Sequence, residues 1–327
     1  MKRALSILLV TLLLLSALPL SGCDAFFILD GTKHSVTFVA NNGTPDNAVL
    51  IENGKTVATP ADPEKENYLF RGWYTDSALT RKYDFSKPVK KSLTLYAKYE
   101  IDATTLTNKI STDTIKGVVK IYNKSYNSFL GFETEYSTGQ GSGFCFHIQD
   151  GNYYVLTNCH VAIKKDGYDK QKFTIEDYQG KTYEGYLLKN PNKAMSAIAA
   201  EYDLACLYFV PDSTNVKKLT IVTDDPEAGA DVISIGAPKG QSNSITYGQI
   251  SGYGKVNLSE TPASASNVTF DVICHTAHIN NGSSGGPLLD AQLNVAGINY
   301  AGSTEGNFGA AIPAEKVREF LKAYVYN

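Results

Sequence analysis

The chain is poor in the residues that most often advertise chemistry. In 327 residues it has one tryptophan, two methionines, five cysteines and five histidines. Any general base must therefore be sought among His34, His147, His160, His275 and His278. An excess of one charge is also missing. Thirty basic side chains against 33 acidic ones leave a net charge of −3. The lysines and arginines are scattered rather than clustered, which argues against a nucleic-acid partner. The cysteines Cys145, Cys159, Cys206 and Cys274 follow no recognisable disulfide framework, and each sits in an apolar run, so buried free thiols are expected. His275 and His278 are spaced i, i+3, but no cysteine or carboxylate cluster completes a metal site, and no metal or cofactor is expected. Long apolar runs are absent apart from Ala4–Leu20, which follows the basic Met1-Lys2-Arg3.

Against this background one hexapeptide stands out, Gly282-Ser283-Ser284-Gly285-Gly286-Pro287. It sets a serine in a glycine-rich turn. The two residues after Ser284 have no side chains, so an acyl group can approach closely and the backbone can adopt angles closed to other residues. Such a turn can aim successive N–H groups, here those of Gly282 and Ser284, into one concavity that holds an oxyanion. A base is available in Tyr153-Tyr154-Val155-Leu156-Thr157-Asn158-Cys159-His160-Val161, a β-branched and aromatic strand that ends in a polar break at His160. An acid is available in Tyr202-Asp203-Leu204-Ala205-Cys206-Leu207, where Asp203 opens an apolar run, as a buried carboxylate that orients a histidine would. Singly these could be a turn serine, a half-buried histidine and a strand-edge charge. The order His160, Asp203, Ser284 is that of chymotrypsin-type triads, not of subtilisins or α/β-hydrolases.

On these residues the chain resembles trypsin-fold serine peptidases, and the flanking text resembles HtrA-type (Deg) members. Gly141-Ser142-Gly143-Phe144 precedes the histidine strand, while Ile235-Gly236-Ala237-Pro238-Lys239-Gly240 and Thr246-Tyr247-Gly248 follow the acid. Val295-Ala296-Gly297-Ile298-Asn299-Tyr300 and Phe308-Gly309-Ala310-Ala311-Ile312-Pro313 follow the serine. The resemblance covers roughly residues 112–327 and has two departures. Position 283 is Ser, where the family more often has Asn or Asp, and no PDZ domain is expected. The resemblance implies an all-β fold of two six-stranded Greek-key barrels with the site in the cleft between them. It implies substrate bound in extended form near Asn299 and Tyr300, with His278 lining or neighbouring the specificity pocket. No Asp or Glu occurs in the segments expected to form that pocket, which disfavours a preference for Lys or Arg. Pro313–Tyr324, with Val317, Phe320, Leu321 and Tyr324 in helical spacing, reads as a closing helix.

Upstream, Leu20-Ser21-Gly22-Cys23 resembles a lipobox, and residues 1–22 a bacterial lipoprotein signal peptide cleaved before Cys23. This implies export and a lipid anchor at Cys23 on the outer face of the cytoplasmic membrane. Residues 23–33 read as a tether. Residues 34–100, with Gly72-Trp73-Tyr74 and Leu95-Tyr96-Ala97, resemble the internalin-type B-repeat, a small β-grasp-like module of bacterial surface proteins. Trp73 is expected to be its core anchor, and a cell-wall or surface ligand is its implied partner. Residues 101–111 read as a linker and 112–327 as the peptidase domain. The implied activity is serine endopeptidase action on protein or peptide substrates. The alternative is an inactive or latent trypsin-fold adhesin.

Overall fold

The computed structural model describes residues 32–190, 195–236, 244–256, 258, 261–303 and 308–326. The signal-like segment, Cys23 and residues 237–240 lie outside them. The chain divides into two compact units at residues 100 and 101. Among the described residues no helix is long and apolar enough to cross a membrane.

The first unit is a four-stranded sheet of β1 (Lys33–Val39), β2 (Asn47–Glu52), β3 (Tyr68–Tyr74) and β4 (Leu93–Ile101), in the order β2-β1-β4-β3. β1 runs antiparallel to β2 and parallel to β4, the central parallel pair of a β-grasp-like sheet. Alternation along the strands sends Val36, Phe38, Leu95, Ala97 and Trp73 to one apolar cluster. Trp73 is its anchor, with Phe38 edge-on at 4.9 Å and Phe70 at 5.6 Å between ring centroids.

The second unit opens with a helix, α1 (Ala103–Thr112), where the sequence pattern suggests a linker. Its threonines hide the helical signal, because threonine is a weak helix former. The helix is held from outside. The Asp102 side chain caps it by accepting from the Thr105 N–H at 3.0 Å, and Leu106 and Ile110 are fully buried in the core. Thr107 Oγ1 also lies 2.7 Å from the Tyr247 hydroxyl, and that hydroxyl donates to the Ala103 carbonyl at 3.1 Å.

Beyond α1 the chain builds two barrels. The first uses β5 (Val118–Phe129), β6 (Phe132–Gln149), β7 (Asn152–Thr157), β8 (Lys170–Glu176) and β9 (Thr182–Leu187). A short helix, α2 (Cys159–Ala162), follows β7. The two-residue strands β10 (Lys189–Asn190) and β11 (Met195–Ser196) pair with each other, and β12 (Ile198–Ala199) leads to β13 (Leu204–Phe209). Strand order is β12-β13-β7-β6-β5-β8-β9, and pairing of β13 with β9 closes six strands into a ring. The second barrel is closed in the order β14-β15-β16-β19-β18-β17, from β14 (Asp231–Gly236), β15 (Ser244–Gly254), β16 (Val272–His275), β17 (Pro287–Asp290), β18 (Val295–Ser303) and β19 (Phe308–Pro313). The last helix, α3 (Ala314–Phe320), widens into a π-helical turn over Leu321–Tyr326, and buries Val317, Phe320 and Leu321. One apolar cluster joins Phe144, Leu156 and Leu204 of the first barrel to Ile235, Leu289 and Ile298 of the second. The four cysteines of this unit are free. Burial pushes the thiols of Cys145 and Cys159 up to about 12.

Because α1 shares the barrel core, Leu106→Ala should destabilise the second unit by about 2–5 kcal/mol, the range for removing a buried leucine. A chain starting at residue 113 should be weakened further than one starting at residue 101. Urea unfolding of the three proteins checks this, and equal midpoints would return the segment to the status of a linker.

Candidate active site

β7 ends at Thr157, and the chain turns into α2 through Asn158, whose φ of −78° and ψ of 152° are extended. The turn presents His160. Asn158 reaches sideways: its Nδ2 donates to the Asp203 carbonyl at 2.9 Å. Asp203 takes a left-handed backbone, φ +49°, just before β13, a conformation aspartate tolerates better than most residues. That twist aims its carboxylate at the helical turn. Oδ2 accepts from His160 Nδ1 at 2.8 Å, Oδ1 lies 3.1 Å from the same nitrogen, and Oδ1 accepts from the His160 N–H at 3.0 Å. The carboxylate is fully buried while the imidazole is 19% exposed. The pair therefore has one dry end and one end open to a cleft.

The serine turn is assembled on the second barrel. Ser283 N–H donates to Asn280 O at 2.9 Å, and Ser283 Oγ accepts from Asn280 N–H at 3.3 Å. Gly285 N–H donates to Asn299 O at 2.8 Å, and Asn299 N–H donates back to Gly286 O at 2.9 Å. The first barrel holds the turn from the other side. Ser142 N–H donates to Ser284 O at 2.8 Å, Ser142 Oγ to Gly282 O at 2.7 Å, and Thr157 Oγ1 to Ser142 O at 2.7 Å. The glycines are required by this closeness. A Cβ on Gly285, at φ +86°, would lie 2.1 Å from Ser142 O, and one on Gly286 would lie 2.2 Å from Ile235 O.

His160, Gly282 and Ser284 line one cleft of about 680 Å³, together with Lys164 and Lys165 from the loop after α2. Among the described residues no hydrogen bond joins Ser284 to His160, and the N–H groups of Gly282 and Ser284 have no acceptor within the protein. Nucleophile–base contacts of this kind often close only when substrate is bound.

The three expected substrate-binding residues are not among those that line this cleft. Asn299 and Tyr300 are 0% and 2% exposed. A β-bulge between Asn299 and Ala301 breaks the alternation that would turn one of them outward. Asn299 Nδ2 donates to Ser234 Oγ at 2.9 Å, Gly286 O at 3.1 Å and Pro287 O at 3.2 Å, so it braces the serine turn from behind. The Tyr300 hydroxyl donates to Val256 O. His278 is half-buried and contributes its carbonyl to Thr246 Oγ1, and it is not among the cleft-lining residues. Ser142 and the two lysines escaped the sequence reading. The sign of Ser142 was there: Gly141 and Gly143 flank it because a Cβ at either would strike a neighbour, Val161 or Val155, within 2.7 Å.

His275 is buried under Gly309 and beside Asn299, with neither ring nitrogen hydrogen-bonded. Burial drives its pKa down to about 4. It is a neutral core group.

Comparison with known proteins agrees with the class that the barrels and site define. Residues 141–298 match the family model of the trypsin-like peptidase domain, and residues 34–98 match that of the Listeria-Bacteroides repeat domain. The chain thus carries a trypsin-like peptidase domain behind a repeat module of bacterial type. The chain is similar to HtrA-type serine proteases. The Do-like HtrA of Bacillus subtilis is 31% identical over 216 residues, 62% of this chain and 44% of the relative. Serine protease HTRA4 of Mus musculus is 31% identical over 190 residues, 58% and 35% of the two chains. Putative serine protease HhoA of Synechocystis is 33% identical over 182 residues, 55% and 41%. The chain thus spans less than half the length of these curated relatives. The fold alone is shared with the active form of the Rv3671c protease of M. tuberculosis, at a TM-score of 0.52 and 23% identity, covering 69% of this chain and 88% of that one.

The buried ring of His275 makes a pH prediction. Its folded pKa of about 4 lies below the ordinary 6.5, so the unfolded chain binds the proton first as pH falls. The stability tied to the neutral ring is complete above pH 6.5 and is lost between there and 4, by about 3 kcal/mol. Urea unfolding at about pH 7 and about pH 4 should show that loss in the native protein and a smaller one in His275→Asn.

Proposed function

We propose that this chain is a serine endopeptidase working through Ser284, His160 and Asp203, held on the outer face of a bacterial membrane. The observation that carries the reading is the buried Asp203 carboxylate gripping His160 Nδ1 at 2.8 Å, while the imidazole opens on the cleft that Ser284 also lines.

A neutral serine is a weak nucleophile. His160 takes its proton as Oγ attacks the substrate carbonyl. Asp203 keeps Nδ1 protonated, so that Nε2 is the basic nitrogen, and then stabilises the imidazolium. The tetrahedral oxyanion falls to the free N–H groups of Gly282 and Ser284, each worth on the order of 3 kcal/mol in comparable sites. His160 returns its proton to the leaving amine, and water hydrolyses the acyl-enzyme by the same steps. Substrate pairs with the edge of β18 beyond Asn299, because β17 covers that strand only as far as Ile298. The Asn299 N–H and C=O are already committed to the serine turn and take no part.

Ser284→Ala should lower kcat/KM on a peptide substrate by at least about a thousandfold and abolish labelling by a fluorophosphonate. Ser283→Ala, which loses only a bond inside the turn, should stay within about tenfold. Equal loss in both folded variants would contradict the assignment.

Location is read from the sequence. Residues 1–22 act as a lipoprotein signal peptide, and Cys23 carries the lipid, whose two or three acyl chains hold stably where one would not. The repeat module at residues 34–98 then stands between anchor and peptidase along the chain, as a spacer or as a binder of a surface ligand. Wild type should partition into detergent, whereas Cys23→Ala should accumulate as unlipidated precursor. A mature N-terminus other than residue 23 would overturn this.

A further inference from the structure

Among the described residues, the three most exposed large apolar side chains cluster at the tip of the hairpin formed by β5 and β6. Phe129, Leu130 and Phe132 are 69%, 82% and 75% exposed, at the end of an arm paired from Val118↔Phe144 to Phe129↔Phe132. The turn is Leu130-Gly131, with φ of +49° and +87°. Two-residue hairpin turns with both φ positive select Asn, Asp or Gly at the first position, because a larger side chain is strained there. A leucine at that apex works against the hairpin's own stability and calls for another role.

We infer that this tip is a wedge that enters the interface of a lipid bilayer and docks the peptidase barrels on the membrane. Two features favour a bilayer over a protein partner. Behind the apolar tip stand Tyr126 and Tyr136, paired across the strands, with Lys124 at 4.5 Å over the Tyr136 ring and Lys172 at 5.9 Å over that of Tyr126. Tyrosine and lysine at that level match the headgroup layer. The nearest carboxylate, Glu133, is neutralised by ion pairs to Lys124 and Lys172, and Glu135 stands farther from the apex. The area is also small. Aromatic side chains offer about 150–250 Å² each, so the tip presents roughly 500 Å², short of the roughly 800 Å² per partner of a stable protein interface.

The arm also has a consequence for the cleft. Ser125 and Ser137, paired across the arm, line the cleft. Phe129 lies four residues farther along β5, roughly 13 Å at about 3.3 Å per residue. An inserted tip therefore holds the cleft at the height of membrane-proximal segments, a substrate preference that rests on the peptidase reading above.

The test uses the full chain with Leu130→Trp, bound to vesicles of phosphatidylcholine with a minority of phosphatidylglycerol. With brominated acyl chains, the indole introduced at the apex should lose most of its emission, while Trp73, buried in the first unit, should be unaffected in the parent protein. Adding Phe129→Ser and Phe132→Ser should restore the emission. The triple variant Phe129→Ser, Leu130→Asn, Phe132→Ser should cleave a soluble peptide at the parent rate and a lipid-tethered one several-fold more slowly. An apex indole left unquenched on vesicle-bound protein would overturn the proposal. So would a blue shift of its emission on concentrating the protein without lipid, which would make a second copy the occupant. Loss of soluble-peptide cleavage in the parent itself would count against the peptidase reading and leave the quenching result to decide insertion.

Discussion

Ser142 supplies the constraint on which the rest of the site depends. One residue of the first barrel grips the serine turn of the second through its N–H to Ser284 O and its hydroxyl to Gly282 O. Its own carbonyl is held by Thr157, three residues before His160. The turn that carries Ser284 and the strand that carries His160 are thus hydrogen-bonded to the same residue. Any shift of one barrel against the other would break these bonds inside a dry interface, where an unpaired polar group costs about 1–3 kcal/mol. The shared apolar cluster supplies the burial that makes this region dry. The hydrogen bonds give it a single register.

The same clamp explains the local sequence. Strand β6 must approach the serine turn closely enough for backbone-to-backbone bonding, so Ser142 is flanked by glycines whose Cβ atoms would have no room. The turn must return the approach, so Gly285 and Gly286 have none either. Behind the turn, the two N–H groups of the Asn299 amide face three acceptors. The serine loop is therefore held from the front by one barrel and from the back by the other. This is the preorganisation that a nucleophile and oxyanion donors need, because geometry fixed before substrate binds need not be reorganised during reaction.

What the sequence made legible follows from how local each signal is. The strand before His160, the apolar run that Asp203 opens and the glycines after Ser284 are each written in contiguous residues, and the two-barrel fold came with them through resemblance. Trp73 as a core anchor was legible because a lone tryptophan in an alternating strand has few other places to go. Helix α1 was not, since its threonines suppress the helical pattern and what holds it, a capping aspartate and two residues buried against a barrel, is tertiary. The burial of the Asn299 and Tyr300 side chains was hidden for a similar reason. The bulge that turns both inward depends on pairing with β19, and no window of β18 reveals it.

Positions where local preference and tertiary demand disagree separate into two kinds. Asp203 at φ +49° is a mild conflict, and the surroundings resolve it: Asn158 holds its carbonyl, Ala200 accepts from its N–H, and His160 takes its carboxylate. The strained backbone is over-determined by bonds that also aim the carboxylate, so the strain and the site have one cause. Leu130 at φ +49° is the same backbone conflict without such support. Its side chain is 82% exposed, and no bond from the fold requires a leucine there. A strained residue braced on all sides is explained by the fold it serves. Leu79 and Leu293 hold similar φ values of +54° and +65° but are partly covered by the fold, so it is the exposure of Leu130, and not its backbone alone, that motivates the membrane wedge we infer.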